Sequence, residues 1–147
     1  MIFNLYHYVV LSLINLISGK RGRGTIAGLL RGGKRRSIYS LKTNSVIALD
    51  ERYSGVMQKV PNTKILTLFD ELLKGGCIEI VEDSIKGQWY PLVYITEKGR
   101  NSLTEKEAEF LPKLEKVLEA NRTLIGFQKE LIPAEKPSQN GGGINEE

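Results

Sequence analysis

Between Lys20 and Arg36 the chain carries seven cations (Lys20, Arg21, Arg23, Arg31, Lys34, Arg35 and Arg36), five glycines (Gly22, Gly24, Gly28, Gly32 and Gly33) and no acid. Such a stretch is too charged to bury and too rich in glycine to run as one long helix, so it must be a surface junction between the segments that supply the core. The same asymmetry divides the chain electrostatically. Residues 1–64 hold eleven Lys or Arg against Asp50 and Glu51, a net of +9, whereas residues 65–147 hold ten against fifteen, a net of −5. An uncompensated cationic cluster attracts a polyanion, which puts nucleic acid first among partners and an anionic membrane surface second. The plainer alternative is a solvated charged face.

A length of 147 residues with 41% hydrophobic and 26% charged residues fits one globular core and excludes a multi-span membrane protein. One cysteine, Cys77, and one histidine, His7, cannot supply a disulfide framework, a four-ligand zinc site or a Cys/His catalytic pair, so no metal and no cofactor is expected. The lone thiol also fits a reducing compartment.

The apolar start, Ile2 to Ile17, has no basic flank before it and no small-residue cleavage site, and it is shorter than the ~20 residues that span a bilayer. Wound as a helix, it gathers Asn4, His7, Ser12, Asn15 and Ser18 within roughly 140° of arc, which predicts a core helix with one wet stripe. His7 is then a surface histidine. Thr25 to Arg31 reads as a second helix stopped by Gly32, Ile38 to Leu49 fits neither helix nor strand unambiguously, and Tyr53-Ser54-Gly55 reads as a turn. From Lys64 to Lys74, Ile65, Leu68, Phe69, Leu72 and Leu73 repeat at helical spacing before Gly75-Gly76 ends the run. Cys77 to Val81 and Leu92 to Ile95 are β-prone, and the ten residues between them, Glu82 to Pro91, read as a long hairpin connection. Thr96 can cap a short helix, and Glu105 to Ala120 is amphipathic with Phe110, Leu111, Leu114 and Leu118 on one side.

Two nucleotide-binding look-alikes fall away on inspection. Gly28 to Lys34 satisfies the first seven places of a phosphate-binding P-loop, but Arg35 stands where a Ser or Thr must bind magnesium, and a helix-like segment precedes it in place of a strand. Gly22-x-Gly24 with Ala27 resembles a dinucleotide fingerprint without its strand or its acid. Asn121-Arg122-Thr123 is a glycosylation sequon, irrelevant without secretion. No carboxylate pair and no nucleophile with a base stands out, so the chain is not expected to be an enzyme by itself.

A helix, a basic glycine-rich junction, a second and a third helix and a hairpin follow the order of an α+β winged helix-turn-helix. The Leu11 to Lys20 run, Thr25 to Gly32, Tyr53 to Val56, Leu72 to Gly76 and Tyr94 to Arg100 together resemble the RQC domain, the winged helix of RecQ-family DNA helicases. The resemblance spans roughly Leu5 to Leu103, and its most specific parts are Leu30-Arg31-Gly32 and Thr96-x-Lys98-Gly99-Arg100. It implies an RQC-like DNA-binding domain over 1–104, followed by a C-terminal helical extension over 105–132 and a disordered acidic tail over 133–147.

The resemblance implies recognition of double-stranded or branched DNA in replication, recombination or repair. Phosphates would be held by Arg31, the amides of Gly32 and Gly33, and the charges of Lys34, Arg35, Arg36, Lys20 and Arg23. Gly33 departs from the family's usual serine, which puts one hydroxyl contact in doubt. The family's hairpin wedge maps onto Trp89 and Tyr90, with Ile85 beside them, and the competing reading packs Trp89 into the core from the hairpin base. Glu79, Glu82 and Asp83 give that wing a negative charge that DNA binding does not explain. The family's ATPase lobes would come from a longer parent chain or another subunit, at a cytoplasmic, nucleoid-associated or nuclear site, with no membrane partner. The alternatives are a protein–protein interaction module and a transcriptional regulator. The regulator needs a readout helix more polar than Lys64 to Lys74.

Overall fold

The computed structural model describes residues 1–32 and 37–131. Among them the order is α1 (Leu5–Leu16), α2 (Arg23–Arg31), β1 (Ser37–Tyr39), β2 (Val46–Ala48), a 3-10 turn (Glu51–Tyr53), α3 (Asn62–Lys74), β3 (Ile78–Ile85), β4 (Gln88–Ile95), α4 (Glu97–Glu105) and α5 (Glu107–Leu131). The class is α+β, with two antiparallel hairpins, β1–β2 and β3–β4. The expected tail over 133–147 lies outside the described residues.

Helix α1 is the hub. Val10, Leu11, Leu13, Ile14 and Ile17 are fully buried, because α3, α4, α5 and β4 pack around them. A helix surrounded in this way can be apolar on almost every side, which is why the opening stretch looks like a membrane segment; no described helix is long and apolar enough to cross one. Burial of each such side chain stabilises the fold by about 1.5–3 kcal/mol.

The stripe expected to be wet is exposed at Asn4 and Asn15, but most of its side chains are in use. Asn4 caps α1 by accepting from the Tyr6 and His7 amides. Ser12 Oγ lies 2.7 Å from the hydroxyl of the buried Tyr53, and Ser18 Oγ accepts from the Ile95 amide at 2.9 Å. His7 is not a surface histidine; it is 2% exposed and bonded to Glu71 on α3. Polar residues at helical spacing signal water only when no partner faces them, and here each of these four meets one.

The residues after α1 extend the larger hairpin. Gly19 N donates to Val93 O at 2.7 Å and Val93 N to Arg21 O at 3.1 Å, so 19–21 run along β4 as a third strand would. Leu41 N donates to Lys20 O at 3.2 Å, joining β1–β2 to the other side of this segment. Close approach requires glycine here, since a Cβ at Gly19 would meet the Tyr94 ring and one at Gly22 the Pro91 carbonyl.

The ten-residue hairpin connection expected over Glu82 to Pro91 does not exist. Strands β3 and β4 stay paired from Ile78↔Ile95 to Ile85↔Gln88 and turn on Lys86-Gly87 alone. Both turn residues have positive φ, 53° and 83°, the backbone of a two-residue turn that matches the strand twist. Glu82, Asp83 and Ser84 hide the strand from a propensity reading because they lie where the hairpin projects from the core. No strand pairs with the outer edge of β3 among the described residues.

Thr96 caps α4 as expected: its Oγ1 accepts from Gly99 N at 3.0 Å and donates to Gly76 O at 2.6 Å. Helix α5 starts at Glu107, two residues later than the periodicity predicts, and runs on to Leu131. Its Phe110, Leu114 and Leu118 enter the same core as α1.

Candidate nucleic-acid interface

Helices α2 and α3 border an open cleft of about 660 Å³, lined by Arg23, Gly24, Gly28 and Arg31 from one side and by Asn62 and Leu66 from the other. Ile26, Leu29 and Leu30 turn inward, so the cleft face of α2 is left with small residues and an arginine at each end. Neither Gly24 nor Gly28 has anything within 4 Å of the position a Cβ would take, and neither has a positive φ. Interior glycines cost a helix about 0.5–1 kcal/mol relative to alanine, and no contact among the described residues requires these two. What they provide is an open surface on which another backbone can lie close.

The cations of the cleft are placed differently from expectation. Gly32 ends α2 with φ 153°, and its amide donates back to Gly28 O and Leu29 O, so it is not a donor to a bound anion. The carbonyl end of a helix is also its negative end. Arg31, however, donates from Nε to Val60 O at 3.1 Å, which sets it at the entrance to α3. That helix follows Pro61, whose side chain gives no cap, so its positive end stands uncapped where Asn62 meets the cleft. Arg23 is half-exposed at the other end and paired with Asp70 of α3 at 3.2 Å. Lys20 is partly buried in the strand-like segment beside β4. Gly33, Lys34, Arg35 and Arg36 lie outside the described residues.

At the far hairpin, Trp89 pairs with Ser84 near the turn and is 68% exposed. That excludes the reading in which it packs into the core. Tyr90 is half-buried beside it, with its hydroxyl donating to Gln88 Oε1 at 2.7 Å, and Ile85 is half-buried on β3. All three sit on strands and not in a loop.

The two hairpins are tied by a contact that sequence reading missed. Lys42, in the β1–β2 turn, donates to the Tyr94 hydroxyl at 3.0 Å, and that hydroxyl donates to Asp83 Oδ2 at 2.8 Å. Lys42 Nζ lies 3.6 Å from the same carboxylate oxygen. The Tyr94 hydrogen bond, with help from Asp83, raises the pKa of Lys42 above its ordinary value. Asp83 therefore holds a hairpin in place. No pattern within either segment announces this, because Lys42 is 41 residues from Asp83 and 52 from Tyr94. Among the described residues no cluster of acids, histidine and cysteine could hold a metal ion.

Comparison with known proteins finds no matching family, no matching curated protein and no matching solved structure.

Proposed function

We propose that this chain is a DNA-binding winged-helix module of RecQ type that holds duplex ends or branched DNA through backbone phosphates and a hairpin wedge. The observation that carries the reading is the cleft in which Arg31, at the end of an α2 face of unobstructed glycines, reaches the uncapped N-terminus of α3. Positive helix ends and arginine are the usual phosphate partners, and they fix position without reading sequence. The order of α1, the 19–21 segment, α2, α3 and the β3–β4 hairpin is compatible with a winged helix, and the exposed Trp89 near the hairpin tip suits a base-stacking role. Such a module has no ATPase activity of its own and serves replication, recombination or repair beside a helicase motor supplied by a longer parent chain or another subunit.

A fluorescence-anisotropy titration with blunt duplex, forked duplex and single strand at two salt concentrations tests it. Binding through several phosphates weakens steeply with salt. Undetectable binding to all three at low salt would exclude the reading.

A second reading, a protein-interaction module, is favoured by a mainly apolar cleft of about 370 Å³ between the start of α1, residues 55–60 and α5, lined by Leu5, Tyr6, Val56, Val60 and Val117. Sequence-specific regulation is favoured by nothing comparable, since Asp70 and Glu71 of α3 are engaged by Arg23 of α2 and His7 of α1 and do not form a polar readout face.

A further inference from the structure

We propose that the outer edge of β3 docks an extended, basic segment of a partner protein, which joins the β3–β4 hairpin as one more strand. The proposal is independent of the DNA-binding reading, which leaves the acids of this strand unused. The register fixes which groups face the open side. Val93 donates its N–H to Arg21 O and accepts from Gly19 N, and the Ile95 amide donates to Ser18 Oγ, so both residues turn away from β3. Directly opposite residues of an antiparallel pair either bond to each other or both turn outward. Ile80 is opposite Val93 and Ile78 opposite Ile95, so the main chain of Ile80, and by alternation that of Glu82 and Ser84, faces away from β4. Their amides and carbonyls have no backbone partner among the described residues. Glu79, Val81, Glu82 and Ser84 are exposed, so no described element covers the edge.

Charge selects the occupant. Asp83 is taken up by Tyr94 and Lys42, but Glu79 and Glu82 have neither an ion pair nor a side-chain hydrogen bond among the described residues. The nearby cations stand at the ends of the strand, Lys98 beside Gly76 and Lys86 in the turn. The stretch 79–84 between them is acidic. Such an edge repels nucleic acid and acidic chains, and it sets like charges against a second copy of itself. A strand with Lys or Arg opposite Glu79 and Glu82 gains two ion pairs instead. Those cations are three residues apart, hence on opposite faces of the added strand, and the exposed Val81 gives a β-branched residue opposite it a surface to pack on. Main-chain bonds supply the affinity of such an added strand, and its side chains supply the choice of partner.

The test uses the full chain and a fluorescein-labelled peptide, Thr-Lys-Val-Val-Lys-Val-Thr, beside the same peptide with glutamates for its lysines and the same peptide N-methylated at every amide. The lysine peptide is expected to bind and to slow hydrogen exchange, read by NMR, at the amides of Ile80, Glu82 and Ser84. The amides of Val81 and Asp83, which face β4, should exchange as before. The glutamate and N-methylated peptides are expected to bind about tenfold or more weakly. Glu79→Lys with Glu82→Lys, which still sets like charges between two copies, should reverse the preference and favour the glutamate peptide. Equal affinity for the lysine and glutamate peptides, or an unchanged preference in the double variant, overturns the proposal. Protection that appears only at other amides overturns it too, as does undetectable binding of all three peptides at low salt. Protection of the same three amides in the parent without peptide would assign the edge to a second copy of this chain and also overturn it.

Discussion

His7 Nε2 lies 2.6 Å from Glu71 Oε1, joining the first turn of α1 to the outer face of α3 through a histidine that is almost fully buried. The other ring nitrogen, Nδ1, accepts from the Asn4 amide at 3.0 Å and completes the capping of α1. Since a backbone amide can only donate, the neutral ring carries its proton on Nε2 and donates it to the carboxylate. One side chain thus closes a helix end and fastens a helix pair.

Part of the pH dependence of stability follows from Glu71, beside Asp50 and Glu119, whose carboxyls are held below their ordinary values chiefly by Arg52. The His7 hydrogen bond is the main cause holding its carboxyl below the ordinary value of 4.5. A depressed carboxyl contributes stability that is present above its unfolded value and lost as pH falls through its folded value. Urea denaturation midpoints should therefore drop below about pH 4.5, and Glu71→Gln should flatten that acid limb. His7→Ala, which removes a buried ring stacked on Phe3 together with its bond to Glu71, should lower the midpoint at neutral pH in the same measurement.

Gly99 is required by packing. A Cβ there would drive into the Cys77 carbonyl oxygen and approach Ile95 Cγ1 to 2.8 Å. Backbone cannot yield as a flexible side chain can, so Gly99→Ala should destabilise the fold by about 1–3 kcal/mol or more, read as a lowered Tm. An unchanged Tm would mean that α4 does not sit this close to the start of β3.

Gly28 is the opposite case. Its Cβ position is open, so Gly28→Ala should raise stability by about 0.5–1 kcal/mol through better helix propensity. If a phosphate backbone lies along this face, the added methyl groups of Gly24→Ala with Gly28→Ala should weaken DNA binding while Tm rises. Equal affinity with a higher Tm would remove the cleft from the interface.

Trp89 can be separated from the core by the same comparison. With 68% of its surface exposed, Trp89→Ala removes little buried area and should leave Tm nearly unchanged. Affinity for blunt or forked ends should fall by about 5- to 100-fold relative to closed circular duplex, the worth of one base–aromatic stack. A drop of many degrees in Tm with unchanged end preference would contradict both statements.

Arg52 fastens α5 to the 3-10 turn. It pairs with Asp50, Glu115 and Glu119 at 2.8, 3.1 and 2.7 Å, and Asn121 Nδ2 donates to the carbonyls of Arg52 and Ser54. Asn121→Ala leaves those carbonyls without this donor and should cost about 1–2 kcal/mol in chemical denaturation. Its effect should persist in high salt. That of Arg52→Ala should shrink, because Glu115 and Glu119 are half-exposed and screened.

Legibility in the sequence followed the range of each interaction. Helix α3 and the Thr96 cap could be read because their signals lie within a few residues: Ile65, Leu68, Phe69 and Leu72 repeat along one face, and Thr96 stands three residues before the amide it caps. Helix α1 was legible as apolar, but its polar residues were misassigned, because the partners of His7, Ser12 and Ser18 are 64, 41 and 77 residues away. The length of the β3–β4 hairpin was missed for another reason, since strands that leave the core no longer alternate apolar and polar. At the cleft, Arg31 and Arg23 could be chosen from charge alone. The approach of Arg31 to the head of α3 depends on a segment of some thirty residues between them, the β1–β2 hairpin and the 3-10 turn included, that no local pattern resolves.

Among the described residues the outer edge of β3 is unpaired, and the acids of the wing lie along it. An eight-residue strand with one side open is a template on which any extended chain, including another copy of itself, can add a strand. Glu79 and Glu82 are exposed on that strand, and a second copy laid along it would bring carboxylates against carboxylates. Their charge acts as a guard against edge-to-edge polymerisation. Replacing both with neutral residues removes that repulsion and turns the wing into a site of aggregation even while the core beneath it stays folded.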